Sequence, residues 1–155
     1  MKSFKFLVAI VLIGILFTYS GCKPKSDPGP SAQDQQLTKL SKTWSCTDAK
    51  LNNATQTGYT NFKLTISSTA GQTTFGYSTA GRPTGTKSSP WPASGNFTFG
   101  TDFATQLTRD DGTPPLPVTY SVSDTQLQLT FTYSGQGYDG RVGNVLGTWV
   151  YTFKP

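Results

Sequence analysis

From Trp44 to the last residues the chain alternates apolar and polar side chains with a period of two, and no stretch within it repeats with the period of a helix. In Phe62-Lys63-Leu64-Thr65-Ile66 and in Leu127 to Tyr133, one face is apolar and the other is Lys, Thr or Gln. Weaker forms of the pattern occur at Phe75-Tyr77, Phe97-Phe99, Val118-Tyr120-Val122 and Trp149-Tyr151-Phe153, and Trp44 and Phe103 open two further runs. Such half-wet alternation belongs to antiparallel sheets, because parallel strands are covered on both faces and read as continuous apolar runs.

Turn chemistry joins these eight strands as hairpins: Ala70-Gly71, Gly100-Thr101-Asp102, Asp110-Asp111-Gly112 and Ser123-Asp124. Two longer connections, 80–92 and 134–144, are rich in Gly or Pro. Ahead of the strands, Leu37 and Leu40 lie three apart among polar residues, which predicts a short helix over 33–41. The fold expected is all-β: an eight-stranded antiparallel up-and-down barrel, which leaves no exposed edges, behind a short N-terminal helix. A two-sheet β-sandwich is the alternative, although the spaced Cys, Trp, Cys trio of immunoglobulin domains is missing.

The first residues carry an address. Lys2 and Lys5 precede an apolar run from Phe6 to Phe17 and a short small-residue tail ending at Gly21, the three-part form of a secretory signal peptide over 1–21. The run falls short of the roughly 20 residues that a membrane-spanning helix needs. Tyr19-Ser20-Gly21-Cys22 resembles the lipobox of bacterial lipoproteins, with Tyr19 where an aliphatic residue is usual. The resemblance implies that Cys22 becomes an acylated (palmitate-type) N-terminus. The other reading is an ordinary signal peptide and a Cys22 to Cys46 disulfide. Residues 22–32, rich in Pro, Gly and charge, read as a flexible tether, leaving one domain over 33–155.

Beyond the tether, Leu40-Ser41-Lys42-Thr43-Trp44 leading eight strands resembles the small lipocalin-like lipoproteins of the Bacteroidota type. So do Ser94 to Phe99 followed by Arg109 to Gly112, and the terminal Gly147 to Phe153. Lipocalins usually carry Gly-x-Trp at the first strand, where this chain has Lys42-Thr43-Trp44. The resemblance implies a lipid-anchored binding or structural protein, and with Lys23 after the cysteine the expected location is the cell envelope, at the outer membrane.

Composition limits the chemistry. The chain has no histidine and no glutamate, so histidine-dependent triads, His-based zinc sites and His acid-base catalysis are excluded. The eight aspartates lie almost all in turn sequences. A carboxylate pair or calcium site at Asp110-Asp111 lacks the required spacing, and Gly81 to Ser88 lacks the Gly-Lys and following helix of a phosphate loop. No enzyme, metal or cofactor is expected. The basic residues are dispersed, which argues against nucleic acid; the expected partners are the membrane, through Cys22, and a small ligand.

The candidate ligand-binding residues are Trp91, set between two prolines, and Tyr138, in a glycine-rich loop. They are the aromatics that the strand pattern needs least, and would form a platform for a sugar ring or a partner if exposed. The plainer reading is that Trp91 plugs one end of the barrel and Tyr138 packs on it. Three functions compete: a non-enzymatic binding module holding a small apolar ligand in the barrel, which needs an internal cavity; a glycan-binding or accessory surface lipoprotein, which needs exposed rings; and a structural envelope protein, whose signature is a filled core with Trp91 buried. The stretch from Cys22 onward holds 7 Phe, 6 Tyr and 3 Trp, enough to fill a narrow bore.

Overall fold

The computed structural model describes residues 29–83, 89–110, 114–138 and 145–155. Cys22, the proposed signal and most of the tether lie outside the described residues, as do residues 84–88 of the Gly81 to Ser88 stretch, Asp111, Gly112 and residues 139–144.

Helix α1 (Ala32–Leu40) comes first. Ser31 caps it, its hydroxyl accepting from the Asp34 N–H, while Asp34 in the first turn and Lys39 in the last complement the helix dipole. Its two leucines, Leu37 and Leu40, are both buried. Nine strands follow: β1 (Thr43–Leu51), β2 (Ala54–Thr55), β3 (Lys63–Ser67), β4 (Thr74–Ala80), β5 (Ser94–Phe99), β6 (Gln106–Arg109), β7 (Leu116–Val122), β8 (Leu127–Tyr133) and β9 (Gly147–Lys154). Every pairing is antiparallel between neighbours, and β1 also pairs with β9, so eight strands close into an up-and-down barrel and the sandwich alternative falls away.

β2 is a two-residue flap folded back on β1. The turn between them is Asn52-Asn53, both at positive φ (49° and 68°), which asparagine tolerates best after glycine. Phe103, expected to open a strand, lies instead in the turn before β6. There Asp102 takes hydrogen bonds from the Ala104 N–H and the Thr105 hydroxyl, and this local cap stops the chain from extending until Gln106.

One irregularity sets the phase of the first strand. Between Cys46 and Asp48 the register on β9 slips by one residue, leaving Thr47 as a bulge whose hydroxyl donates to the Thr152 carbonyl. Before the bulge Trp44 and Cys46 face inward; after it Ala49 and Leu51 do. Strict alternation would instead have turned Asp48 and Lys50 into the core; both now face water, where they pair at 3.3 Å.

The bore is solid. Trp44, Trp91, Trp149, Arg109, Tyr151, Phe62, Phe75, Phe97 and Phe153 rank among the largest fully buried side chains. Trp149, Tyr151 and Phe153 project inward from alternate positions of β9 with their rings nearly parallel, and Phe131 lies nearly parallel to Tyr151 at 5.9 Å. Outward positions of β8 are Gln128, Thr130 and Thr132, against Leu127, Leu129, Phe131 and Tyr133 inside. Barrels that span membranes have the opposite arrangement, an apolar band outside and a polar lumen.

Candidate functional site at the mouth of the barrel

Because neighbouring strands run in opposite directions, the connections divide between two ends. At one end, the base, lie α1 and the hairpins after β3, β5 and β7. At the other, the mouth, lie the connections after β4, β6 and β8.

Trp91 fills the mouth. It is fully buried and meets the edges or faces of Tyr77, Phe97, Phe131 and Tyr151 at centroid distances of 5.5 to 6.4 Å, all at steep angles. The flanking prolines now have a use. Without N–H groups, Pro90 and Pro92 bring only carbonyls into this crowded region, and each carbonyl is taken: Pro90 O by Arg109 Nη2 at 2.8 Å and Pro92 O by the Thr79 hydroxyl at 2.6 Å. Arg82 Nη1 donates to the Trp91 carbonyl at 3.0 Å, and Ser89 Oγ accepts from the Trp91 N–H.

Arg109 is the residue that reading by alternation missed. Only 1% exposed, it extends inward from the end of β6 with its guanidinium carbon 4.6 Å from the Trp91 ring centre, 5.4 Å from Phe131 and 5.9 Å from Tyr133. Aromatic faces attract a cation most where water is excluded. The planar guanidinium stacks and hydrogen-bonds at once, which a lysine ammonium does not.

Above this layer an open cleft of about 520 Å³ is lined by Arg109, Pro114, Pro115, Leu116, Pro117 and residues 132–138. Tyr133 forms part of its floor and donates to the Gln136 carbonyl at 2.5 Å, which curls the segment after β8. Gly135 lies tight over Tyr133: a Cβ there would come within 2.9 Å of the Tyr133 hydroxyl oxygen. The proline rings and Ser134 are exposed, offering flat apolar surfaces beside hydroxyl and amide groups.

The structure separates the two ring candidates. Trp91 lies inside and presents no face to solvent, so its place is that of a plug rather than a platform. Tyr138 is half-buried on the cleft wall, and its backbone exchanges two hydrogen bonds with that of Ser89, two residues before Trp91. Nothing in the local sequence announced the cleft, because it is assembled from the end of β6, the start of β7 and the segment after β8.

A second open cleft, about 280 Å³, runs along the seam between β1 and the segment 55–60. Cys46 lies on it, but its thiol donates to the Asp48 carbonyl, and burial pushes its pKa up to about 12. A thiol so held is not a nucleophile near neutral pH. Among the described residues no cluster of three His, Cys, Asp or Glu side chains is placed to hold a metal, and no helix is long and apolar enough to cross a membrane. No protein-family model, no curated protein and no solved structure matches the chain.

Proposed function

We propose that the protein is a lipid-anchored, non-enzymatic binding module of the cell envelope that takes a small ligand with a flat apolar face in the cleft at the barrel mouth. The single observation that carries this is the contrast between a bore packed with aromatic side chains and an open cleft of about 520 Å³ walled by prolines and Tyr138. A barrel of this kind is compatible with a small-ligand module. With the interior occupied, the rim is where volume remains. The anchor is supported by the signal-like segment 1–21 and the lipobox-like Tyr19 to Cys22. A non-catalytic role is supported by the lack of histidine and glutamate in the sequence.

A structural envelope protein without a small ligand is the second reading, favoured by the filled core and the burial of Trp91. Native mass spectrometry separates the two. The secreted Cys22→Ser protein is exposed to an envelope extract, and a small-molecule adduct that disappears in Cys22→Ser/Tyr138→Ala supports binding in the cleft. No adduct in either protein supports the structural reading. Intact mass of the wild-type protein tests the anchor: residues 22–155 plus acyl chains, lost on Cys22→Ser, is the expected result.

A further inference from the structure

We propose that the protein stands on the membrane on its helix-capped base, with the cleft directed away from the bilayer, so that its ligand reaches it from the aqueous phase and is not drawn from membrane lipid. This rests on the anchor reading above and adds an orientation and a source of ligand to it.

The start of α1 is fixed at the base. Asp34 Oδ1 accepts from the Gly71 N–H of the β3–β4 turn at 2.6 Å, the Ser41 and Ser68 hydroxyls are in contact, and the Ile66 N–H donates to the Lys42 carbonyl at 3.0 Å. Leu37 and Leu40 are buried, and the Trp44 indole N–H donates to the Leu40 carbonyl at 2.9 Å. The chain that leads back from Ser31 toward Cys22 therefore departs from the base. The cleft residues lie at the opposite ends of their strands: Arg109 closes β6, Pro114 to Pro117 open β7, and Ser134 to Tyr138 leave β8.

Magnitudes decide which way the barrel faces. The seven residues of β8 separate base from mouth by about 20 Å along the strand, at roughly 3.3 Å per residue. The nine steps of chain from Cys22 to Ser31 span at most about 30 Å whatever conformation they take. Upright, the barrel needs none of this reach. Inverted, with the mouth on the bilayer, the same chain must run back past the height of the barrel and its loops, which takes up a large part of that reach. Charge does not reverse the outcome: near the base Lys39, Lys42 and Lys154 are offset by Asp34, Asp102 and Asp124.

The test uses the acylated full-length protein in vesicles that contain a nickel-chelating headgroup lipid, with a spin label on a single introduced cysteine. Thr125→Cys places the label at the base and Gln136→Cys places it at the mouth; the buried Cys46 is left native. The expected result is nickel-induced relaxation several-fold stronger for the base label. Equal relaxation, or a stronger effect at the mouth, overturns the orientation while leaving the anchor intact. Protein that fails to float with the vesicles overturns the anchor reading, and the orientation falls with it.

Discussion

The guanidinium of Arg109 lies 4.6 Å from the centre of the Trp91 indole, and its Nη2 reaches the carbonyl of Pro90, the residue just before that tryptophan. One side chain thus holds both the ring and the backbone of the plug. Arg109→Ala is expected to destabilise the fold by about 3 kcal/mol, through a cavity and a buried carbonyl without its donor. Arg109→Lys recovers less than half of this, since an ammonium neither stacks as a plane nor forks between partners. Urea unfolding followed by Trp fluorescence measures both; a lysine variant as stable as wild type would remove the stacking argument.

Trp91 and Tyr138 should respond in opposite ways. Trp91→Ala removes a fully buried ring and is expected to cost about 3–5 kcal/mol. Tyr138→Ala, on the half-buried cleft wall, is expected to cost on the order of 1 kcal/mol while abolishing any ligand adduct. Parallel denaturation curves and native mass spectra distinguish plug from binding surface.

Deleting Thr47 tests the bulge. Without the extra residue, Cys46 opposite Phe153 and Asp48 opposite Thr152 become consecutive pairs, and Trp44, Cys46, Ala49 and Leu51 all keep their inward phase in a regular strand. The deletion is expected to keep the cooperative unfolding transition and the amide dispersion of the barrel; loss of either would show that β1 requires the local kink itself and not only the inward phase. Thr47→Ala, which keeps the residue count and loses only a hydroxyl bond to Thr152, is expected to fold with a loss of about 1 kcal/mol. Two-dimensional NMR spectra of the two variants give the comparison.

Alkali should unfold the protein before acid does. Burial holds the Cys46 thiol at about 12 and, with the nearby Asp102 charge adding to it, the Tyr120 phenol at about 12; Tyr151 is shifted upward in the same way. These groups stay neutral in the fold but ionise at their ordinary values once exposed. Their contribution is complete below about pH 9 and is lost as pH rises toward about 12, since the unfolded chain then releases more protons. A thermal midpoint that holds from pH 7 to 9 and falls steadily above it is the expected profile.

Acid acts instead on the helix. The Gly71 N–H, then the Ser31 hydroxyl, holds the Asp34 carboxyl below its usual range. A lowered carboxylate pKa gives stability present above the unfolded value and lost as pH falls through the folded one. The protection of the Gly71 amide hydrogen against exchange, relative to its intrinsic rate, is expected to fall below about pH 4, ahead of global unfolding; Asp34→Asn should show the low protection already at neutral pH.

The alternation that marked Phe62–Ile66 and Leu127–Tyr133 led directly to strands, and the helix expected over 33–41 differs by one residue at each end from Ala32–Leu40. Arg109 was illegible for a physical reason: a rule that puts apolar residues inside assigns a guanidinium to water, although Leu107 two positions earlier fixes the phase inward. The bulge left a readable trace, because the apolar positions pass from even (Trp44, Cys46) to odd (Ala49, Leu51) within one strand. Tyr138, singled out because no strand required it, lies on the cleft wall. The remaining wall was hidden because its three segments meet only after the barrel forms.

Closure of the ring ties β1 to the last strand through partners such as Thr47 and Thr152, 105 residues apart. A chain growing from its N-terminus holds Trp44 to Leu51 ready long before their principal partner exists. Until β9 arrives, every shorter intermediate carries two bare edges able to pair with a neighbouring molecule. Closure of the barrel therefore waits on the eight-residue β9, slowed by its distant pairings, and clipping that strand would turn a self-sealed molecule into a seed for aggregation.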